Sequence, residues 1–487
     1  MGNILMARTW AEMFLSHWQG SSSPAIVGDD VTVTGGELLH HAQAAVSLLS
    51  RLSIPPAKPV PLLMDQSAEA LALTVGGALA RYPMAPLGTK LPVAELAAMV
   101  RQLRASVLLS SPGHLEKARE VADRARTNLH IVAKLATPDT PLIPTQLPEP
   151  EDIMLVIHTS GTTGLPKPVP MHQGGFAART VAYQTMTGVE PGERFSSTSP
   201  FYHVAGAGMA LTVLGMGVAL IPMGWFSIEE WQRVGRLGMS YGQLVPTMLE
   251  ILLEQGVLGD ARPRILQYGA SPIHPDTLRA VLDVLPETRF VQFYGQTEAS
   301  PLTCLSPDDH RRAIAGHPDL LLSVGRPVPG CEIAIETPDR DGVGQVLVRA
   351  EHSFLCDRDG WRHTGDLGRL DKEGYLYLSG RQNDRIIRGG ENIYPQEVEA
   401  VLIRHPAVDE VAVVGVPSRR WGEIVRAVIV PADPESPPSL DELRAYCLEK
   451  LAKFKMPEEM RLVDALPRNP TGKLLRRLLL NDAPGSL

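Results

Sequence analysis

Along the first 130 residues two periods of apolar and polar positions alternate. Residues 36–51 and 93–103 repeat apolar positions three and four apart, the spacing that draws one stripe on an α-helix. Residues 60–64 and 106–110 are short apolar runs bounded by turn formers, as strands buried on both faces are. Helices alternating with such strands predict a parallel α/β layer. A proline-rich connector, residues 137–150, leads into residues 153–157, another short apolar run expected to be a buried strand. The alternation resumes from about residue 175 to 300 as a second α/β unit, and short strands with glycine turns from about 320 to 380 predict an antiparallel, barrel-like region. Beyond Arg381 the texture becomes helix (396–404), strands (411–416 and 425–430) and helix (440–451), a small α+β domain. The expected division is a large α/β domain, residues 1–381, followed by a small α+β domain, residues 382–487.

One stretch needs separate treatment, because residues 204–228 carry no charge and are long enough to span a bilayer. Gly206, Gly208, Gly215, Gly217, Gly224 and Pro222 break it instead into a helix, a turn and a buried strand at 218–222. No transmembrane segment is expected. With 487 residues the chain exceeds one core, and 44% hydrophobic against 21% charged residues is ordinary for a soluble protein. A formal charge of −8 argues against a nucleic-acid partner, which needs a clustered positive field. Cys304, Cys331, Cys356 and Cys447 include no CxxC pair, which speaks against structural zinc and a disulfide scaffold and for a reducing, cytoplasmic setting. Residues 1–6 show neither a signal peptide nor a myristoylation pattern.

Candidate chemistry begins directly after the strand at 153–157, in His158-Thr159-Ser160-Gly161-Thr162-Thr163-Gly164-Leu165-Pro166-Lys167. Glycines let backbone N–H groups approach anionic oxygens, and the hydroxyls and Lys167 add donors, so the loop suits phosphate. The Gly-x4-Gly-Lys-Ser/Thr spacing of the Walker loop is absent.

With this loop, five further segments resemble the acyl-adenylate-forming superfamily of acyl-CoA synthetases, peptide-synthetase adenylation domains and luciferases. They are Tyr294-Gly295-Gln296-Thr297-Glu298, Trp361-Arg362-His363-Thr364-Gly365-Asp366 with Gly380-Arg381, Gly389-Gly390-Glu391-Asn392-Ile393-Tyr394-Pro395 and Pro470-Thr471-Gly472-Lys473. Their order matches over nearly the whole chain. One departure is visible: the family loop continues Pro-Lys-Gly, whereas Pro168 follows Lys167 here, removing a backbone donor and restricting the lysine towards extended geometry.

The resemblance implies a two-step ligase using ATP, Mg²⁺ and coenzyme A. Thr159 to Gly164 and Lys167 would hold phosphates, while Gly269, Ala270 and Ser271 would wall the adenine against Tyr294 and Gly295. Thr297 would donate to the α-phosphate, Glu298 would ligate Mg²⁺, and Lys473 would neutralise charge between the carboxylate and the α-phosphate. A turn at 371–374 folds residues 367–379 into a hairpin that brings Asp366 beside Arg381, a carboxylate and a guanidinium able to clamp a ribose. A hinge at Asn383, where the family usually has Asp or Lys, would swing the small domain so that Gly389, Gly390 and Glu391 line a pantetheine tunnel. Trp421, Phe454 and Lys90 resemble contacts to the CoA nucleotide and phosphate.

The segment Pro200-Phe201-Tyr202-His203-Val204-Ala205-Gly206 resembles the family's acid-pocket motif without the Asp of amino-acid-activating relatives. With Gly208, Val245 and Gln296, His203 and Val204 outline an apolar pocket, so the expected substrate is a hydrophobic carboxylic acid: fatty, alicyclic or aryl. A carrier-protein phosphopantetheine as acceptor, a luciferase-like oxygenase and a silent nucleotide-binding module stay open as alternatives. A homodimer is one assembly compatible with the sequence.

Overall fold

The computed structural model describes residues 7–135, 146–159, 166–269, 273, 275–355, 358–448, 450–468 and 474–480. Two compact units emerge: residues 1–332 with 349–361, and residues 333–348 with 362–487.

Two sheets organise the first unit. The six-stranded one has the order Asn128–Ile131, Val107–Ser110, Val60–Leu63, Met84–Pro86, Ile153–Thr159, Lys167–His172. Its first five strands run parallel and the last antiparallel. The nine-stranded sheet is parallel from Arg289–Gln296 through Ile265–Gly269, Tyr241–Leu244, Arg194–Ser197 and Ala219–Leu220 to Pro24–Val27, with antiparallel strands at both margins. Helices cover these strands, which explains runs such as Val60–Leu63 that are buried throughout. Capping boxes start several of the helices: Thr34 with Glu37 opens Gly35–Arg51, Thr9 with Glu12 opens Trp10–Trp18, and Ser306 with Asp309 opens Pro307–Ile314. The uncharged run resolves into a π-turn at Val204–Gly208, the buried helix Met209–Gly215 and the strand Ala219–Leu220. Among the described residues no helix is long and apolar enough to cross a membrane.

In the second unit, the stretch expected to be barrel-like takes the form of a four-stranded antiparallel sheet ordered Cys331–Glu336, Gly344–Ala350, Arg362–Leu370, Leu376–Arg381. The strands Glu391–Ile393, Ile386–Arg388, Gly422–Pro431 and Val408–Ser418 form a second sheet, and Glu459–Leu462 joins Gly422–Pro431 in parallel. Ile386, Ile393, Val398, Leu402, Val425, Ile429 and Leu443 make a core between this sheet and the helices Pro395–Leu402 and Leu440–Cys447.

Candidate active site

The phosphate-loop segment connects two antiparallel strands, since Ile153–Thr159 pairs with Lys167–His172 and Thr159 lies opposite Lys167. The Thr159 hydroxyl donates to the Lys167 carbonyl at 3.4 Å, pinning the loop at its base. Ser160, Gly161, Thr162, Thr163 and Gly164 lie outside the described residues. Pro168 and Pro170 stand two apart on the edge strand, so their missing N–H groups share one side. Pro168 opposes His158 and Pro170 opposes Val156, which leaves the alternate pairs at 167 and 169 to carry the ladder bonds to the neighbouring strand. The departure from the family pattern therefore sits where a sheet tolerates proline. His158, one residue before Thr159, is buried with neither ring nitrogen partnered, and burial lowers its pKa to about 4.

Gly269 ends its strand opposite Phe293, and Tyr294 follows on the adjacent parallel strand, at the carboxyl edge where open α/β sheets place ligands. A Cβ on Gly269 would lie 2.8 Å from the Phe293 carbonyl oxygen, so only glycine allows this strand spacing. Ala270 and Ser271 lie outside the described residues. Tyr294 is half-buried and Gly295 exposed. Gln296 pairs with Ala299, which makes Thr297 and Glu298 the two residues of a hairpin turn. That turn is gripped from a distant segment: the Phe354 N–H donates to the Glu298 carbonyl at 2.8 Å, Ser353 bridges Ala299, and His352 Nε2 donates to the Pro301 carbonyl.

Within the second unit, Asp366 and Arg381 are direct partners across the hairpin, joined by an Arg381 Nε to Asp366 Oδ1 contact of 2.8 Å. The Asp371 carboxylate closes the hairpin by accepting the Glu373 and Tyr375 N–H groups, each at 2.9 Å. Gly374 there has φ +82°, a left-handed value that favours glycine. Asp366 is 5% exposed, whereas the Arg381 side chain is 44% exposed. The carboxylate is thus fixed by the sheet and the guanidinium reaches out from it.

Gly389 and Gly390, with φ of +58° and +89°, form the two-residue turn between Arg388 and Glu391. The Gly389 N–H donates to the Trp421 carbonyl at 2.7 Å, and a Cβ on Gly389 would meet the Trp421 ring at 3.0 Å. The guanidinium groups of Arg388 and Arg420 stand 4.5 and 5.1 Å from that ring, which is 36% exposed. Glu391 is exposed. Phe454 instead packs against the core of the unit, beside the Lys455–Glu397 ion pair. Lys90, in the first unit, has its ammonium 3.5 Å above the ring of the exposed Trp225. Asn383 is exposed in a single 3₁₀ turn, Gln382–Asp384, and Lys473 lies outside the described residues.

His203 precedes the π-turn Val204–Gly208, its ring 4.1 Å from that of Tyr202. Its Nε2 is buried and unpartnered, and burial lowers its pKa to about 4, so the ring is neutral at pH 7. A Cβ on Gly206 would fall 2.0 Å from the Pro200 carbonyl oxygen, and one on Gly208 3.0 Å from Val204 Cγ2. Gln243 has a buried, unpartnered Oε1 and lies opposite Ser197 in the parallel sheet, while half-buried Val245 leads into the helix Pro246–Glu254. Half-buried Gln296 sits beyond Tyr294 on its strand. His203 falls within the acid-pocket segment read from the sequence, whereas Gln243 falls in none of the segments named there, and a glutamine in an uncharged strand is the sole signal the sequence offers for it.

The first unit thus sets Gly269 and Tyr294 at the carboxyl edge of a parallel sheet, and the second unit holds a buried carboxylate–guanidinium pair. Residues 18–356 match the AMP-binding enzyme family and residues 397–473 the AMP-binding enzyme C-terminal domain. The chain belongs to the AMP-binding enzyme family. It is 31% identical to a 2-succinylbenzoate–CoA ligase of Bacillus subtilis, over 95% of this chain and 96% of that one. It is 35% identical to a fatty acid–[acyl-carrier-protein] ligase of Streptomyces coeruleorubidus, over 68% of this chain and 69% of that one. The solved structure of an amide bond synthetase from Marinactinospora thermotolerans superimposes with a TM-score of 0.87 at 28% identity, covering 97% of this chain and 98% of the other.

Proposed function

We propose that this protein is an ATP-dependent carboxylic acid:CoA ligase for a hydrophobic acid, working in a reducing, cytoplasmic setting. The observation that carries the reading is the Asp366–Arg381 pair, a buried carboxylate held at 2.8 Å by a partly exposed guanidinium in a chain of the AMP-binding family. In the first step the acid's carboxylate oxygen attacks the α-phosphorus of ATP, an acyl-phosphate bond forms and pyrophosphate leaves. A carboxylate with a pKa of about 4 is already an anion at neutral pH, so no general base is needed. Asp366 accepts the ribose hydroxyls, Thr297 and the loop hydroxyls donate to phosphate, and Lys473 offsets negative charge at the phosphorus under attack. Among the described residues no group of three or more His, Cys, Asp or Glu side chains is arranged to hold a metal. Glu298 with phosphate oxygens and water fits Mg²⁺, which takes few protein ligands beside a nucleotide and would neutralise phosphate charge. In the second step the CoA sulfur, having lost its proton, attacks the acyl carbonyl and AMP leaves. This step follows rotation of the small domain about Asn383.

The three relatives differ in what they are named for: a CoA ligase, an acyl-carrier-protein ligase and an amide bond synthetase. The diglycine turn against Trp421, with Arg388 and Arg420 beside the ring, supports CoA, because an aromatic face and two cations suit an adenine nucleotide carrying phosphates. A carrier-protein phosphopantetheine is the second reading, favoured by the 35% identical relative. The test is acid-dependent pyrophosphate release with ATP and Mg²⁺ over fatty, alicyclic and aryl acids, each with and without CoA. Release that requires an acid, with thioester forming only when CoA is added, is expected. Thioester on a phosphopantetheinylated carrier and none on CoA would establish the second reading. Lys473→Ala is expected to lower pyrophosphate release about a hundredfold or more while sparing thioester formation from preformed acyl-AMP; equal loss of both would remove the lysine from the first step.

A further inference from the structure

Arg179 belongs to no motif, yet it is 1% exposed within the helix Gln173–Thr187. Its Nε donates to Thr212 Oγ1 at 3.0 Å, one terminal nitrogen donates to the Ser300 carbonyl at 2.7 Å, and the other lies 4.0 Å from the Met209 sulfur. The guanidinium stands 4.8 Å from the Tyr183 ring, and no carboxylate among the described residues pairs with it. Burying a cation without a counter-ion is costly, and an apolar side chain of similar volume would fill the same space at lower desolvation cost. Arginine nevertheless stays charged, and its planar fork can hold two acceptors on different elements at once.

Those acceptors lead in two directions. Thr212 Oγ1 donates onward to the Gly208 carbonyl at 2.8 Å, so one arm ends in the turn that follows His203. Ser300 lies two residues beyond Glu298, and its hydroxyl is within 3.1 Å of the Tyr183 hydroxyl, so the other arm ends in the hairpin that carries Thr297 and Glu298. From the opposite side that hairpin is held by Phe354 and His352. One buried side chain thereby joins the acid-pocket turn to the phosphate turn.

We propose that Arg179 is a positioning residue for adenylation, setting the acid-pocket turn at Gly208 against the Thr297–Glu298 turn so that carboxylate and α-phosphate meet in line. This rests on the ligase reading above. Misplacement of reacting groups by about 1 Å can lower a rate about a hundredfold, so a tie of this kind acts on the adenylation rate constant rather than on binding alone.

The experiment compares Arg179→Met, Arg179→Lys and Thr212→Val. It measures kcat and KM for acid-dependent pyrophosphate release, the rate of thioester formation from preformed acyl-AMP, and the unfolding midpoint. Arg179→Met is expected to lower adenylation kcat about tenfold or more beyond any loss in the second step. Lysine, which keeps the charge and loses the fork, should not restore it. Thr212→Val is similar in shape and removes the hydroxyl that accepts from Arg179 Nε and donates to Gly208, leaving the Arg179–Ser300 bond in place; it should show the same split, about threefold or more, with a smaller drop in unfolding midpoint than Arg179→Met. Equal loss of both half-reactions, full rescue by lysine, or wild-type ratios in Thr212→Val would each overturn the proposal, and the valine variant decides the matter if Arg179→Met does not fold. Wild-type protein without acid-dependent release would overturn the ligase reading instead, a result visible before any variant is compared.

Discussion

A carboxylate buried beside a guanidinium that reaches solvent is an asymmetric pair, and the asymmetry decides what removing either partner does. Arg381 without Asp366 is simply a more solvated cation, so the stability effect of Asp366→Ala is modest. Its nucleotide effect is not, because charged hydrogen bonds contribute about 1.5–3 kcal/mol. Asp366→Ala is therefore expected to raise KM for ATP about ten- to a hundredfold with little change in unfolding midpoint; an unchanged KM would place the ribose elsewhere. The pair was legible beforehand because a turn at 371–374 fixes hairpin register locally, and the register indeed sets Asp366 opposite Arg381. Arg179 was not legible: its acceptor Ser300 is 121 positions away, and nothing in a helix spelled Gln173–Thr187 marks one arginine as buried.

Turns between paired strands carry much of the candidate site, and their chemistry differs. At Gly389 and Gly390 two consecutive positive φ values demand glycine, and the turn is fastened to the Trp421 carbonyl. Gly390→Leu forces a side chain onto φ +89° and into the path assigned to pantetheine. It is expected to lower thioester formation from acyl-AMP about tenfold or more while acid-dependent pyrophosphate release persists; normal thioester output would locate the tunnel elsewhere. At Thr297 and Glu298 the turn carries no glycine and is held by residues 352–354, a contact that a local reading of Tyr294–Glu298 has no means of seeing. The edge strand Lys167–His172 is a third case, where two prolines in alternation both accommodate the departure at Pro168 and blunt an exposed edge.

On the scale of the whole molecule, His158, His203, His310 and His352 share one property, since burial lowers each pKa to about 4. All four lie in the first unit. Between pH 6.5 and 4 the unfolded chain binds protons that the folded chain refuses, so stability rises with pH across that window and is lost as pH falls through it. Each histidine contributes up to about 1.4 kcal/mol per pH unit there. The urea midpoint of the first unit's unfolding is expected to drop steeply from pH 7 to 5; a flat midpoint would mean that these rings gain protons without unfolding. Local chemistry set the features readable along the chain: strand and helix alternation, glycines at left-handed turns, a hairpin register and the order of the binding segments. Which polar groups lost water and which distant segments met followed from the folded packing alone. The unpartnered Nε2 of His203 and Oε1 of Gln243, the grip of residues 352–354 on the Glu298 turn, and the buried cation of Arg179 all arise from packing between elements far apart in the chain. Desolvation and partner choice are properties of that packing, and no short stretch of residues encodes them.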